Sequence, residues 1–164
     1  MNNKNSKYDE LSRTKYCAFL ILGRRAHTKK ELTDKLLKKE YSPECVEEAV
    51  SYMEQEGYID DRDYAERYLN DAVEIKKHGM ARIKQDLLRK GIPRDIVEDV
   101  IENTEKDNGE TIKNILKIRG QKMDLNDKKQ RDRLIGYMLR RGFRYGEVYS
   151  ALREYMDEGE YYCD

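Results

Sequence analysis

The sequence predicts an all-α protein built from three tandem three-helix repeats, and three observations point there. Glu, Lys, Arg and Leu are abundant, while the 164 residues hold only two Pro, ten Gly and no Trp. That balance favours helices, because straight side chains lose little rotamer freedom in them. Apolar residues recur at i, i+3 and i+4, which places them on one helical face. The apolar pattern and its punctuation also return with a step of 51 residues, the mark of one supersecondary unit copied in tandem. Charged residues reach 40% against 38% apolar, too few apolar side chains for a thick core. Thin repeats that cover one another's stripes, stacked into an elongated body, are therefore expected.

The register runs without gaps. Leu32, Ile83 and Leu134 align, as do Leu37, Leu88 and Leu139, and these last three are taken as a shared core position. Tyr41, Ile92 and Phe143 follow, then Val46, Val97 and Val148, then Ala49, Val100 and Ala151, then Val50, Ile101 and Leu152. The repeats are residues 1–57 with a polar N-terminal tail, 58–108, and 109–164 with an acidic C-terminal tail.

Each repeat contains a leading, a middle and a third helix, nine in all. The leading helices carry Ala18, Phe19 and Leu22, then Tyr64, Ala65, Tyr68, Leu69 and Ala72, then Ile112, Ile115 and Leu116; they align least well and are expected to vary in length and angle. Middle helices carry Leu32, Leu36 and Leu37, then Ile83, Leu87 and Leu88, then Leu134, Met138 and Leu139. Third helices carry Val46, Ala49, Val50 and Met53, then Ile96, Val97, Val100 and Ile101, then Val148, Ala151, Leu152 and Tyr155.

Stops and starts fit these spans. Gly57, Asn108 and Gly159 share one register position. Gly and Asn most readily turn left-handed after a helix, so the triplet reads as one C′ position. Gly91 and Gly142 mark a second stop, where Glu40 departs from the pattern. Ser42, Pro43 and Glu44 read as a cap, a first-turn proline and a first-turn carboxylate, and Asp60, Asp61 and Asp63 open the next helix. Residues 120–127 read as a polar connection, and Glu105 to Gly109 as a joint between repeats.

Little points to reactive chemistry. Cys17, Cys45 and Cys163 are odd in number and lack paired metal-ligand spacing, so Cys17 and Cys45 read as packing residues and Cys163 as a tail thiol. His27 and His78 lie 51 apart without Cys or carboxylate partners at ligand spacing, so a structural or exposed role is expected. No glycine-rich phosphate loop, nucleophile elbow or metalloprotease motif is present. The paired acids Asp60 and Asp61 are explained by capping. Of the 13 Tyr, Tyr58, Tyr64, Tyr68, Tyr145, Tyr149 and Tyr155 are assigned to core or boundary packing in preference to base stacking. The expectation is a non-enzyme without cofactor or metal. The longest apolar stretch, Tyr16 to Leu22, is too short for a bilayer and the first residues do not lead into a signal-peptide core. A cytoplasmic protein with no membrane partner is expected.

A net charge of zero conceals an alternation phased with the repeat. Residues 1–42 carry net +6, 43–75 carry −9, 76–94 carry +6, 95–110 carry −6, 111–153 carry +8 and 154–164 carry −5. The basic blocks cover the middle helices and the acidic blocks the third, giving one basic and one acidic edge if the repeats stack alike. The basic edge is the predicted partner-binding surface: Arg24, Arg25, Lys29, Lys30, Lys76, Lys77, Arg82, Lys84, Lys90, Arg140, Arg141 and Arg144. Solvated helix faces with i, i+4 pairs are the plainer alternative.

Several stretches then read together. Leu22-Gly23-Arg24-Arg25-Ala26-His27-Thr28-Lys29-Lys30-Glu31-Leu32, Gly57-Tyr58-Ile59-Asp60-Asp61 before Tyr64-Ala65, Gly79-Met80-Ala81-Arg82-Ile83, Leu87 to Gly91, and Leu139-Arg140-Arg141-Gly142-Phe143 resemble, in their order, the RecX family. The resemblance spans about Tyr16 to Tyr155. It implies a cofactor-free body of tandem three-helix units that lies in the groove of a RecA filament on single-stranded DNA and limits strand exchange and ATP hydrolysis. Single- or double-stranded DNA is a further candidate partner, and a monomer is expected. A stacked repeat suits a filament, because several modest contacts at fixed spacing add by avidity. The runner-up is a helix-turn-helix reader of duplex DNA with basic middle helices on phosphates. A helical adaptor for some other protein is the third class.

Overall fold

The computed structural model describes residues 3–160, with side chains from residue 7 to residue 157. Every regular element among them is helical: α1 (Asn3–Leu22), α2 (Lys29–Leu37), α3 (Pro43–Gln55), α4 (Asp61–Glu74), α5 (Met80–Arg89), α6 (Arg94–Glu102), α7 (Asn108–Arg119), α8 (Lys128–Arg140) and α9 (Tyr145–Glu160). A 3-10 turn, Gly120–Lys122, follows α7 within the polar connection. No helix among the described residues is long and apolar enough to cross a membrane.

Short polar side chains start these helices by accepting orphan N–H groups. The Thr28 hydroxyl accepts from Glu31 N at 3.1 Å, Asp60 from Arg62 N and Asp63 N at 2.9 and 3.0 Å, Asp107 from Glu110 N at 2.8 Å, and Asp127 from Lys129 N at 3.0 Å. Ser42 holds the N-cap position before Pro43 without a side-chain cap bond. Its N–H donates instead to the Glu10 carboxylate at 2.7 Å, tying α1 to the start of α3. That bond holds the Glu10 carboxyl below its ordinary range.

By packing the chain forms two units. One holds the described residues of Met1–Arg67 together with Leu87–Val100; the other holds Tyr68–Asp86 and the described residues of Ile101–Asp164. In the first, α1 lies along α3 and touches α2, over a core of Ala18, Leu32, Leu36, Val46, Val50, Met53 and Ile59. In the second, α7 and α8 pack on α9, over Ile112, Ile115, Leu116, Leu125, Leu134, Met138, Phe143, Val148 and Leu152. Each fully buried Leu, Ile or Val contributes on the order of 1.5–3 kcal/mol.

The 51-residue step relates the buried positions with one correction. Leu32, Ile83 and Leu134 are buried, as are Val46, Val97 and Val148. Leu37, Leu88 and Leu139, expected in the core, are 42%, 38% and 40% exposed, and their neighbours Leu36, Leu87 and Met138 are at 0%. The geometry explains the choice: Leu36 is i+4 from Leu32 and shares its face, whereas Leu37, at i+5, is rotated to the flank. Phe19, read as part of a leading stripe, is likewise 51% exposed while Ala18 beside it is at 0%.

The stops also divide. Gly57 turns left-handed after α3, with φ 73. Asn108 instead opens α7 behind its cap Asp107, and Gly159 lies inside α9, so the C′ reading holds only at Gly57. The joint between repeats shortens accordingly, ending before Asn108. At the second stop, Gly91 and Gly142 have φ 85 and 89, and Glu40 takes the same left-handed conformation with φ 64. The backbone therefore repeats even where the residue does not. Cys17 is half-buried in α1 and Cys45 buried in α3; Cys163 and the end of the acidic tail lie outside the described residues.

Candidate functional site

The twelve basic residues of the predicted edge fall on the turns around the middle helices and on those helices themselves. Arg24 and Arg25 follow α1, Lys29 and Lys30 open α2, Lys76 and Lys77 link α4 to α5, Arg82 and Lys84 lie in α5, and Lys90 follows it; Arg140 ends α8, with Arg141 and Arg144 in the turn to α9.

In the first unit the cations gather on Glu31. Its carboxylate meets Lys90 Nζ at 2.7 Å, His27 Nδ1 at 3.1 Å and Arg25 at 3.5 Å. Burial pushes the Glu31 carboxyl up, but the hydrogen bonds from Lys90 and His27 and the charges of Lys90 and Arg25 outweigh it, and the net shift is downward. Burial works against the Lys90 ammonium too, and its bonds to Glu31 and Tyr64 leave its pKa raised. Lys90 also lies over the Tyr64 ring at 5.2 Å. Lys29 pairs with Glu54 at 2.6 Å, and its N–H donates to Asp61 Oδ1 at 2.9 Å. Burial raises the Asp61 pKa. Asp60 thus caps α4 as expected, whereas the Asp61 carboxylate serves the start of α2 instead.

In the second unit the cations meet carbonyls and rings. Arg82 donates to the Arg140 carbonyl at 2.8 Å and reaches Asp86 at 3.7 Å. Arg141 donates to the Lys76 carbonyl and lies over the Tyr137 ring at 4.5 Å, while Lys76 lies over Tyr68 at 4.9 Å. Lys84 is engaged as well. The side chains of Arg24, Lys30, Arg140 and Arg144 are exposed, and Lys77 is half-buried. These five make no ion pair among the described residues.

Asn108, expected to be a helix stop, and Glu147, which the sequence reading left unassigned, organise the second unit. Asn108 Oδ1 accepts from Met80 N at 3.0 Å, capping α5, and its amide donates to both Glu147 oxygens at 3.1 Å. Glu147 in turn accepts from Arg144 N at 2.9 Å. The spacing from Arg144 to Glu147 is that of a capping box without the usual hydroxyl, a signal legible in the sequence.

His27 is 5% exposed. Burial lowers its pKa, with Glu31 opposing. His78 Nδ1 is buried without a hydrogen-bond partner, and burial, then the charges of Arg82 and Arg141, lower its pKa. No group of three or more His, Cys, Asp or Glu among the described residues is arranged to hold a metal. On the acidic side, Glu44, Glu47 and Glu48 of α3 line an open cavity of about 510 Å³ with Lys15, Ser51, Tyr52 and Gln55.

The tyrosines divide, three of the six assigned to packing lying at the boundary and three in solvent. Tyr64, Tyr68 and Tyr155 are half-buried, but Tyr58, Tyr145 and Tyr149 are 51%, 59% and 53% exposed. Tyr145 and Tyr149 stack on each other, with centroids 5.9 Å apart and planes 17° from parallel.

Known proteins share both sequence and fold with this chain. Residues 15–53 match the first three-helix domain of RecX, and residues 60–101 the second. A regulatory protein RecX of Haemophilus influenzae is 32% identical over 142 residues, covering 84% of this chain and 91% of its own. One of Clostridium perfringens is 30% identical over 163 residues, covering 92% and 74%. The crystal structure of RecX from Lactobacillus salivarius superposes with a TM-score of 0.75 at 25% identity, over 90% of this chain and 97% of that one.

Proposed function

The chain belongs to the RecX family, and from that premise we propose that it is a non-catalytic regulator that binds a RecA filament on single-stranded DNA and inhibits strand exchange and ATP hydrolysis. The relatives are named as regulatory proteins. The observation that carries the reading is the ordered match of this chain to successive three-helix domains of one regulatory family. The register supports it: the 51-residue step returns exposed basic positions at the ends of successive middle helices, as a partner that repeats its own sites would require. Individually weak contacts of that kind gain affinity when several engage together.

The test is a pulldown of the chain with its host recombinase, with and without nucleotide and single-stranded DNA, paired with ATPase and strand-exchange assays. The reading requires retention of the assembled filament in preference to free recombinase, with both activities falling as the chain is added. Equal retention of free recombinase and no effect on either activity would overturn it.

A further inference from the structure

The exposed strip of α9 combines features that the packing of the fold does not use. Tyr145 and Tyr149 are both more than half exposed and present stacked rings to solvent. The surface beside them is smooth, because Gly146 adds no side chain and a Cβ there would meet nothing within 4 Å, and Ser150 is small and exposed. Arg144 directly precedes the strip and Arg140 ends α8 before the turn that leads to it; among the described residues neither side chain makes an ion pair. Arg153, one turn beyond Tyr149, reaches Asp157 only at 3.9 Å with both groups exposed. Of the nearby carboxylates, Glu147 is occupied by the Asn108 amide and the Arg144 N–H, and Glu154 is exposed at the far end of the helix.

We propose that this strip binds single-stranded nucleic acid directly, with bases stacking on Tyr145 and Tyr149 and phosphates held by Arg140 and Arg144. Aromatic faces beside uncommitted cations are the two parts of a sequence-tolerant single-strand site: the ring meets the π-face that every base possesses, and the guanidinium meets the backbone. An acidic protein segment would use the arginines but leave the rings in water. Duplex DNA would also use the arginines, but its base faces are covered by neighbouring pairs and cannot reach the tyrosines. The single strand uses both. This contact goes beyond the proposed filament binding, since it needs no recombinase.

The test measures anisotropy of a labelled oligothymidylate and of an equally long duplex with the full chain alone, at low and physiological salt. The single strand should bind more tightly than the duplex. Tyr145→Ala with Tyr149→Ala should weaken single-strand binding about tenfold or more, while the Tyr145→Phe, Tyr149→Phe pair, which keeps the rings, should bind like the parent. Circular dichroism checks the folding of the alanine pair; if it misfolds, Gly146→Glu with Ser150→Glu, which places charge on the open strip, carries the same expected loss. Parent-like binding by a folded alanine or glutamate pair, a duplex preference, or no binding to the oligonucleotide overturns the proposal. Filament retention is read separately, so failure here and failure of the proposed function are distinct results.

Discussion

Gly79 donates its main-chain N–H to the Arg141 carbonyl at 2.8 Å, and 51 residues earlier in both partners Thr28 reaches the Lys90 carbonyl with its hydroxyl at 2.7 Å. The start of each of these middle helices is thus joined to the stop of the middle helix one repeat on. The two joints differ in reach. Thr28 spans its gap with a side chain, whereas Gly79 brings backbone to backbone: a Cβ on Gly79 would stand 2.5 Å from the Gly142 carbonyl oxygen. This relation accounts for the residue types at the stop. A Cβ on Gly142 would stand 2.5 Å from Arg82 Cβ and 2.8 Å from its nitrogen, and one on Gly91 would collide with the Lys30 side chain. Glu40 adopts the same backbone conformation, and among the described residues no earlier middle helix packs against it, so a Cβ is tolerated there.

Gly142→Ala should therefore destabilise the protein by about 2 kcal/mol or more, combining left-handed strain with a clash against backbone. Glu40→Gly should raise stability by about 0.5–1 kcal/mol, since relief of the same strain exceeds the entropy lost with glycine. Urea unfolding of both variants measures the contrast, and equal effects of the same sign would contradict the joint described above.

Leu87→Ala should cost about 2–5 kcal/mol, because the side chain is fully buried and its loss leaves a cavity. Leu88→Ala, at a site 38% exposed, should cost less than half as much in the same denaturant titration. The reverse order would mean that the adjacent leucines had been assigned to the wrong faces.

That pair shows how far the sequence could be read. The 51-residue step is carried by residue type and was legible, and so was the helical class. Which of two adjacent leucines faces inward depends on which lies i+4 from Leu32 or its equivalents, a distinction the bare triplet alignment ignored. Asn turns left-handed easily, so Asn108 reads as a stop, yet Asp107 beside it caps a new helix and Asn108 is spent on Met80 and Glu147. The basic blocks were visible as charge, but not which cations the fold consumes. Arg141 on the Lys76 carbonyl and Lys90 on Glu31 depend on partners about 60 residues distant in sequence, and no local pattern announces them. Tyr145 and Tyr149 had the helical spacing of packing residues; the direction in which α9 turns them is a tertiary fact.

Stability should fall as pH drops through about 6.5. Burial lowers the folded-state pKa of His27 and His78, with Arg82 and Arg141 reinforcing it at His78. A lowered histidine stays neutral in the fold while the unfolded chain takes up the proton, so the unfolded state binds more protons and gains on acidification. The contribution is complete above the unfolded value and is lost between it and the lower folded value. Urea midpoints from about pH 7.5 to 5.5 should decline for the parent and decline less for His78→Gln. An unchanged slope in the variant would remove His78 from the account.

The fold uses some of its basic residues and leaves others to a partner. Arg141 binds the Lys76 carbonyl and covers Tyr137, and Lys90 binds Glu31. Reversing either charge should lower the unfolding midpoint, because the Lys76 carbonyl or the half-buried Glu31 carboxylate would lose its donor and face a like charge. Arg140 and Arg144 are exposed and make no ion pair among the described residues, so Arg140→Glu with Arg144→Glu should leave helicity and midpoint nearly unchanged. If the basic edge meets the recombinase filament, this pair should weaken filament retention, and more so at low than at physiological salt, because screening over about 8–10 Å shrinks the effect of exposed charges as salt rises. Adding Lys30→Glu and Lys77→Glu, from the earlier repeats, should weaken it beyond the product of the separate effects through lost avidity. Pulldown with the assembled filament, beside urea titration of the same variants, reads both quantities. A quadruple variant that still inhibits strand exchange like the parent would move the contact to the acidic face of α3, where Glu44, Glu47 and Glu48 line the open cavity.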